Sequence, residues 1–323
     1  MGRLKNSADE WSKRQFVNLS RRSFLAITAL ATQTRAAGHS MQMHLSCGAL
    51  GIQASQPEAI DLAAKHGFDV IDADGKYLNG LSGGELHDLL GHMQAKKIGW
   101  AMAGLPVEFR RDQATFSAGM PDFRKYAGGL ARAEVRSVTT WVRPGSNDLT
   151  YVANFKQHVA RLREIARVLD GAGLRFGIEY VAPKTSWVSQ RYPFIHTMAE
   201  MRDLIAEIGQ ANVGLVLDSW HWYHAGDTGA DILALRAKDV VSVDLNDAPA
   251  GVAKDQMVDG KRELPGATGV IDSKTFLQSL KQIGFAGPVR AEPFNDAVRR
   301  LSPDDAAEAA AEALRKAFAA AEV

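Results

Sequence analysis

Four short apolar runs in the second half of the chain each end in a carboxylate: Phe176-Gly177-Ile178-Glu179, Leu215-Val216-Leu217-Asp218, Val240-Val241-Ser242-Val243-Asp244 and Val289-Arg290-Ala291-Glu292. Runs of four or five apolar residues are too short for helices, and they read as buried strands. Side chains alternate along a strand, so Gly177 shares a face with Glu179, Val216 with Asp218, Ser242 with Asp244, and Arg290 with Glu292. If the four strands are parallel neighbours, all four acids meet at their carboxyl ends.

Working outward, strand-like runs alternate with stretches of helical periodicity, the signature of βα units and a parallel sheet. Strands are expected at 44–52, 69–73, 98–105, 137–142, 174–181, 213–217, 240–245 and 289–291. Helices are expected at 56–66, 82–96, within 120–133, and at 149–171, 197–208, 231–235 and 273–283. An alanine-rich segment from a Ser302 cap to about Ala320 is a strong helix by propensity. Within 149–171, Val152, Phe155, Val159, Leu162, Ile165, Ala166 and Leu169 form one stripe. Eight rounds in about 280 residues match a closed (β/α)8 TIM barrel. The rival open doubly wound sheet usually carries a Gly-rich phosphate turn after its first strand. Ser46-Cys47-Gly48-Ala49-Leu50-Gly51 does not have that spacing. Residues 39–323 therefore read as a single barrel domain.

The 323 residues carry 38 Lys and Arg against 37 Asp and Glu, a formal charge of +1, so no global field draws the protein to nucleic acid or to an acidic membrane. The single cysteine, Cys47, excludes an internal disulfide and a thiolate metal cluster, so any metal must use oxygen or imidazole ligands.

Residues 1–38 have a different character. Ser20-Arg21-Arg22-Ser23-Phe24-Leu25 resembles the twin-arginine export signal, and the mildly apolar Ala26 to Thr32 follows it. The expectation is a periplasmic protein that uses the twin-arginine machinery; the alternative is a basic extension on a cytoplasmic enzyme. The stretch is too short and polar for a membrane anchor.

Four clustered carboxylates raise one another's pKa and need a compensating cation or protons. A divalent metal is the economical solution, and an all-oxygen set favours Mg²⁺ or Mn²⁺ over zinc. The alternative is pairing of some acids with Arg175 or Arg290. Three residues beyond Asp218, His221 is expected on a loop over the site, either in contact with substrate or as a packed core residue. Trp220, Trp222 and Tyr223 are expected either as loop packing or as faces on which a sugar ring stacks. His224 is expected at the surface. A Gly- and Pro-containing lid after the seventh strand carries Lys261 and Arg262, either to reach an anionic or hydroxylated substrate or simply as solvated charge.

The motifs Gly177-Ile178-Glu179, Leu217-Asp218-Ser219-Trp220-His221, Val243-Asp244-Leu245-Asn246-Asp247, Leu264-Pro265-Gly266, Gly269-Val270-Ile271-Asp272 and Ala291-Glu292-Pro293-Phe294 resemble the xylose isomerase-like barrel superfamily. The resemblance is to its sugar phosphate isomerase/epimerase branch, which includes hydroxypyruvate isomerase, ketose 3-epimerases and inosose dehydratase, and it covers about Met43 to Asn295. It implies a divalent metal held by Glu179, Asp218, Glu292 and a seventh-strand residue. It also implies that Glu179 and Glu292 move the proton. The family's seventh-strand ligand is usually histidine; here it is Asp244, which keeps the set all-carboxylate or marks a site that has lost ordinary catalysis. The implied activity is a sugar isomerase or epimerase acting through an enediolate on a small carbohydrate. The alternatives are a lyase or dehydratase acting on a keto-sugar or oxidised glycoside, and a non-catalytic sugar-binding barrel. The superfamily's endonuclease branch needs strand-end histidines and a basic face that this chain lacks. Oligomeric assembly is left open.

Overall fold

The computed structural model describes residues 41–323, so the expected export signal lies outside the described residues. Eight parallel strands close in chain order: β1 (Gln42–Leu45), β2 (Val70–Ala73), β3 (Gly99–Gly104), β4 (Ser137–Trp141), β5 (Arg175–Glu179), β6 (Val213–Asp218), β7 (Val240–Leu245) and β8 (Pro288–Ala291). β8 returns to β1, with His44 opposite Arg290. Every residue of β6 and β7 is buried, as expected of strands covered on both faces by the barrel interior and the helices outside.

The principal helices are α1 (Gln56–His66), α2 (Gly83–Lys96), α3 (Gln113–Arg132), α4 (Tyr151–Gly171), α5 (Met198–Ile208), α6 (Ser219–Ala225), α7 (Gly229–Leu233), α8 (Ser273–Gln282) and α9 (Pro303–Ala321). Their ends follow local chemistry. Ser55 and Glu58 form a capping box at α1, and Gly67 stops it at φ +75°. Ser302 accepts from the Asp305 N–H to start α9, which buries an alanine-rich face that lets it sit close to the barrel. Among the described residues no helix is long and apolar enough to cross a membrane.

Three expectations are corrected. The first strand stops at Leu45, because Cys47–Leu50 winds into a helical turn that buries Ala49 and Leu50 and ends at Gly51 with φ +77°. The third helix begins at Gln113 rather than near Met120. Asp112 caps it through the Thr115 N–H, and the helix runs through Pro121 at the loss of one backbone bond. The stretch after Asp218 is a helix, not a loop, because the Asp218 carboxylate accepts from the Trp220 N–H and caps it.

The alternation expected of the strands holds. A Cβ at Gly177 would lie 2.9 Å from Val216 Cγ2 and 3.0 Å from Thr139 Cγ2, so Gly177 faces the barrel interior, in line with Glu179. Asp218 stands opposite Asp244, Asp244 opposite Arg290, and Glu179 opposite Trp141, which sets the level of the barrel mouth.

Candidate active site

The ends of β5 to β8 bring Glu179, Asp218, Asp244 and Glu292 together. One carboxylate oxygen from each lies within 4.8 Å of the others. Asp218 and Asp244 are fully buried, and the side chains of Glu179 and Glu292 are 14% and 11% exposed. Glu179 and Glu292 line a cleft of about 590 Å³ together with His221, Arg262, Arg290, Trp141, Arg143 and Phe294, and Asp218 and Asp244 lie buried beneath it. A groove of about 530 Å³ near Val213, Arg236 and Asp239 lies toward the amino-terminal end of β6 and contains none of the four acids.

Two arginines enter this cluster. Arg262 is 2% exposed and lines the cleft, so the solvated-charge alternative does not hold. Its Nη1 donates to Asp218 Oδ2 (2.7 Å) and Glu292 Oε2 (2.9 Å), and its Nη2 donates to Asp259 (3.0 Å). Phe294 and Trp220 lie against the guanidinium, with ring centroids 4.7 and 5.4 Å away. Arg290 grips Asp244 with two 2.7 Å bonds and reaches Glu292 at 2.8 Å, so the pairing alternative holds for Asp244 and Glu292. Arg175 does not share in it; its guanidinium donates to the backbone carbonyls of Lys238 and Val240.

Five carboxylates, counting Asp259, therefore face two guanidiniums. Glu179 feels the deficit most: burial, then Asp244, Glu292 and Asp218, push its pKa well above the ordinary carboxylate range. Its Oε1 is buried without a hydrogen-bond partner. Burial also lifts Glu292, to about 7, although Arg290 and Arg262 pull it down. Asp218 is raised by burial, against the opposing pull of Arg262 and of bonds from the Trp220 N–H and the Asn246 amide. A buried carboxylate oxygen lacking any donor, among three more carboxylates, fits a divalent cation.

His221 is 1% exposed and stands at this floor, with Nε2 3.6 Å from Asp218 and 3.8 Å from Glu179. The Ala182 N–H donates to its Nδ1 at 3.2 Å, and burial depresses its pKa to about 3, so the ring is neutral. Arg262 Nη2 lies 3.5 Å from Nε2, but a neutral ring accepts at only one nitrogen. The shorter bond, from a fixed backbone N–H, assigns the proton to Nε2, which then points a donor into the site.

Trp220 and Trp222 are 0% and 6% exposed, and neither lines the cleft; Trp222 packs on Phe276 with ring centroids 5.4 Å apart. The helix they sit on turns both rings into the core, which corrects the stacking reading. His224 is half-buried rather than at the surface, and burial pushes its pKa to about 3.

Asn246 and Asp247 stand in a motif that carries the family resemblance, but nothing in the sequence assigned them a role in positioning the site. The Asn246 amide donates to Asp218 (2.9 Å) while its carbonyl accepts from the Glu292 N–H (2.9 Å), tying two strand ends together. Asp247 is fully buried and accepts four backbone N–H bonds, from Ala248, Thr268, Gly269 and Ile271. Those bonds gather the loop that delivers Arg262. On β1, beside β8, His44 Nε2 lies 2.9 Å from Asp72.

Residues 60–317 match the family described as xylose isomerase-like TIM barrel. The chain is 28% identical to the inosose isomerase of Bacillus licheniformis over 148 residues, which are 45% of this chain and 49% of that one, so the match spans about half of that relative. It is 25% identical to the Bacillus velezensis inosose isomerase over 265 residues, 78% of this chain and 88% of that one. A 33% identical stretch of 140 residues, 43% of this chain, matches 20% of the 3-dehydroshikimate dehydratase of Pseudomonas aeruginosa. Among solved structures, a xylose isomerase domain protein from Alicyclobacillus acidocaldarius superposes with a TM-score of 0.77 at 30% identity, covering 88% of this chain and all of that one. An IOLI protein with a bound zinc atom superposes with a TM-score of 0.72 at 22% identity, covering 87% and 98%.

Proposed function

Since the chain belongs to the xylose isomerase-like TIM barrel family, we propose that it is a divalent-metal-dependent sugar isomerase or epimerase acting by proton transfer next to a carbonyl. The observation that carries this reading is the partnerless buried Oε1 of Glu179 among three further carboxylates. Glu179, Asp218 and Glu292 would hold the metal. Asp244 would hold it only with oxygen lone pairs not already taken by Arg290. When bound, the metal supplies Lewis acidity that polarises the carbonyl and stabilises the negative charge developing beside it.

The protein side of the chemistry follows from position. Glu179 and Glu292 come from strands separated by β6 and β7, so they face a substrate from different sides of the barrel mouth. One removes the α-proton and the other returns one, giving epimerisation at the same carbon or isomerisation at its neighbour. The Nε2–H of His221 donates to a substrate oxygen that becomes negative. Arg262 holds Asp218 and Glu292 in register, and its bonds to both limit how far either carboxylate swings. Metal preference is assigned to Mg²⁺ or Mn²⁺ from the all-oxygen donors.

A second reading, loss of a β-hydroxyl from the same enediolate, is favoured by the stretch shared with 3-dehydroshikimate dehydratase. Metal analysis together with NMR of α-proton exchange in D2O, over inososes, ketohexoses and 3-dehydroshikimate, separates the readings. Exchange without elimination supports the isomerase or epimerase, elimination supports the dehydratase, and bound metal without exchange on any substrate supports a sugar-binding barrel. Glu179→Gln and Glu292→Gln should each lower exchange by at least about 10²-fold. Unchanged exchange in either variant refutes its role, and absence of metal refutes the metal site.

A further inference from the structure

The rim of the cleft differs in charge from its floor. Arg143 is exposed, lines the cleft, and makes no ion pair or hydrogen bond with any described residue. Arg110, on the same wall, stacks its guanidinium over Trp141 at 4.6 Å and donates to Thr140 Oγ1 at 2.8 Å. Arg110 has its own partner, Glu108, at 3.6 Å. Arg262 and Arg290 are committed to the floor acids, so Arg143 is the cleft-lining guanidinium without a counter-charge among the described residues.

The backbone that carries Arg143 is fixed. The Val142 N–H donates to the Glu179 carbonyl at 2.9 Å, and the Phe194 N–H to the Pro144 carbonyl at 2.8 Å. Gly145–Ser146 pairs antiparallel with Tyr192–Pro193, and a Cβ on Gly145 would lie 2.6 Å from Gln190 Cβ. The ribbon brings Arg143 and the wall of Ser186, Ser189 and Gln190 to one rim, so the guanidinium projects from a rigid mount.

Trp141 is level with Glu179 in the sheet, and Arg143 follows it by two residues. Arg143 therefore lies just beyond the strand end, on the rim side of the floor acid. An anionic group on the substrate is attracted at the rim by a guanidinium that no described carboxylate neutralises. One guanidinium fork compensates one negative charge, which suits a carboxylate; a phosphate dianion would leave a charge uncompensated.

Taking the cleft as the sugar site proposed above, we propose that Arg143 is the anion-binding subsite of that cleft and that the substrate is a sugar acid, a polyhydroxy keto chain bearing a terminal carboxylate. The test measures binding without turnover, by calorimetry on the metal-loaded protein, with D-gluconate, D-glucitol and D-glucitol 6-phosphate as matched probes. D-Gluconate should bind about 10- to 100-fold tighter than D-glucitol, the range for a charge-assisted hydrogen-bonded pair. R143Q should collapse that ratio, and R143K should restore part of it through charge without the fork. Equal affinity of the two probes, or a ratio that R143Q leaves intact, overturns the subsite while leaving the sugar reading in place. Tighter binding of the phosphate than of gluconate overturns the carboxylate assignment. Failure of every probe to bind overturns both the subsite and the sugar reading beneath it.

Discussion

Asp247 offers a direct test of how the site is held. Its Oδ1 accepts from the N–H groups of Ala248 and Ile271 at 2.8 and 2.9 Å, and its Oδ2 from Thr268 and Gly269 at 2.8 and 2.7 Å. Its backbone also exchanges two hydrogen bonds with Glu263, the neighbour of Arg262. Asp247→Asn preserves the shape but turns an NH₂ group toward two N–H donors. At about 1.5–3 kcal/mol for each bond to a charged acceptor, two lost bonds cost about 3–6 kcal/mol. The loop can open locally, so the loss should appear there more than in global unfolding. Amide hydrogen exchange is the assay: protection of whichever pair faces the NH₂ should fall by about 10²- to 10⁴-fold, with turnover falling as Arg262 loses its register. Unchanged protection at all four amides would refute the claim that this carboxylate organises the loop, and lost protection with full turnover would refute its link to Arg262.

His158 predicts a pH dependence of stability. It is 3% exposed, donates Nδ1–H to the Asn154 carbonyl at 2.9 Å, and burial chiefly pushes its pKa to about 4 from 6.5. Between those values the unfolded chain binds the proton and the folded one does not, so this contribution is complete above pH 6.5 and declines as pH falls toward 4. From pH 7 to pH 5, wild type should lose about 2 kcal/mol more than His158→Gln in urea unfolding, and parallel pH profiles would dismiss the assignment. Export by the twin-arginine route, proposed from Arg21 and Arg22, predicts that replacing both with Lys keeps the precursor in the cytoplasm; unchanged periplasmic recovery on fractionation would reject it.

The alternation of short apolar runs with helical stripes determined the barrel, because periods of 2 and 3.6 residues are local properties of the chain. It also put four acids at successive strand ends, since alternation along a strand requires only counting. Boundaries that depend on single capping bonds, such as those made by Asp112 and Asp218, were less legible. What the tertiary structure alone decided is which charges meet. Arg262 is 44 residues from Asp218 and 30 from Glu292, and no periodicity links a loop arginine to a strand end. The same holds for Asp247 and its distant amides, and for Arg143, whose want of a counter-charge emerges only when the surrounding acids are placed. Trp220 and Trp222 show the converse: their residue type fits a sugar platform, but the helix capped by Asp218 turns them into the core. Burial and pairing arise from contacts between segments far apart in the chain, and these settle the electrostatics of a site whose four carboxylates the sequence already placed at strand ends.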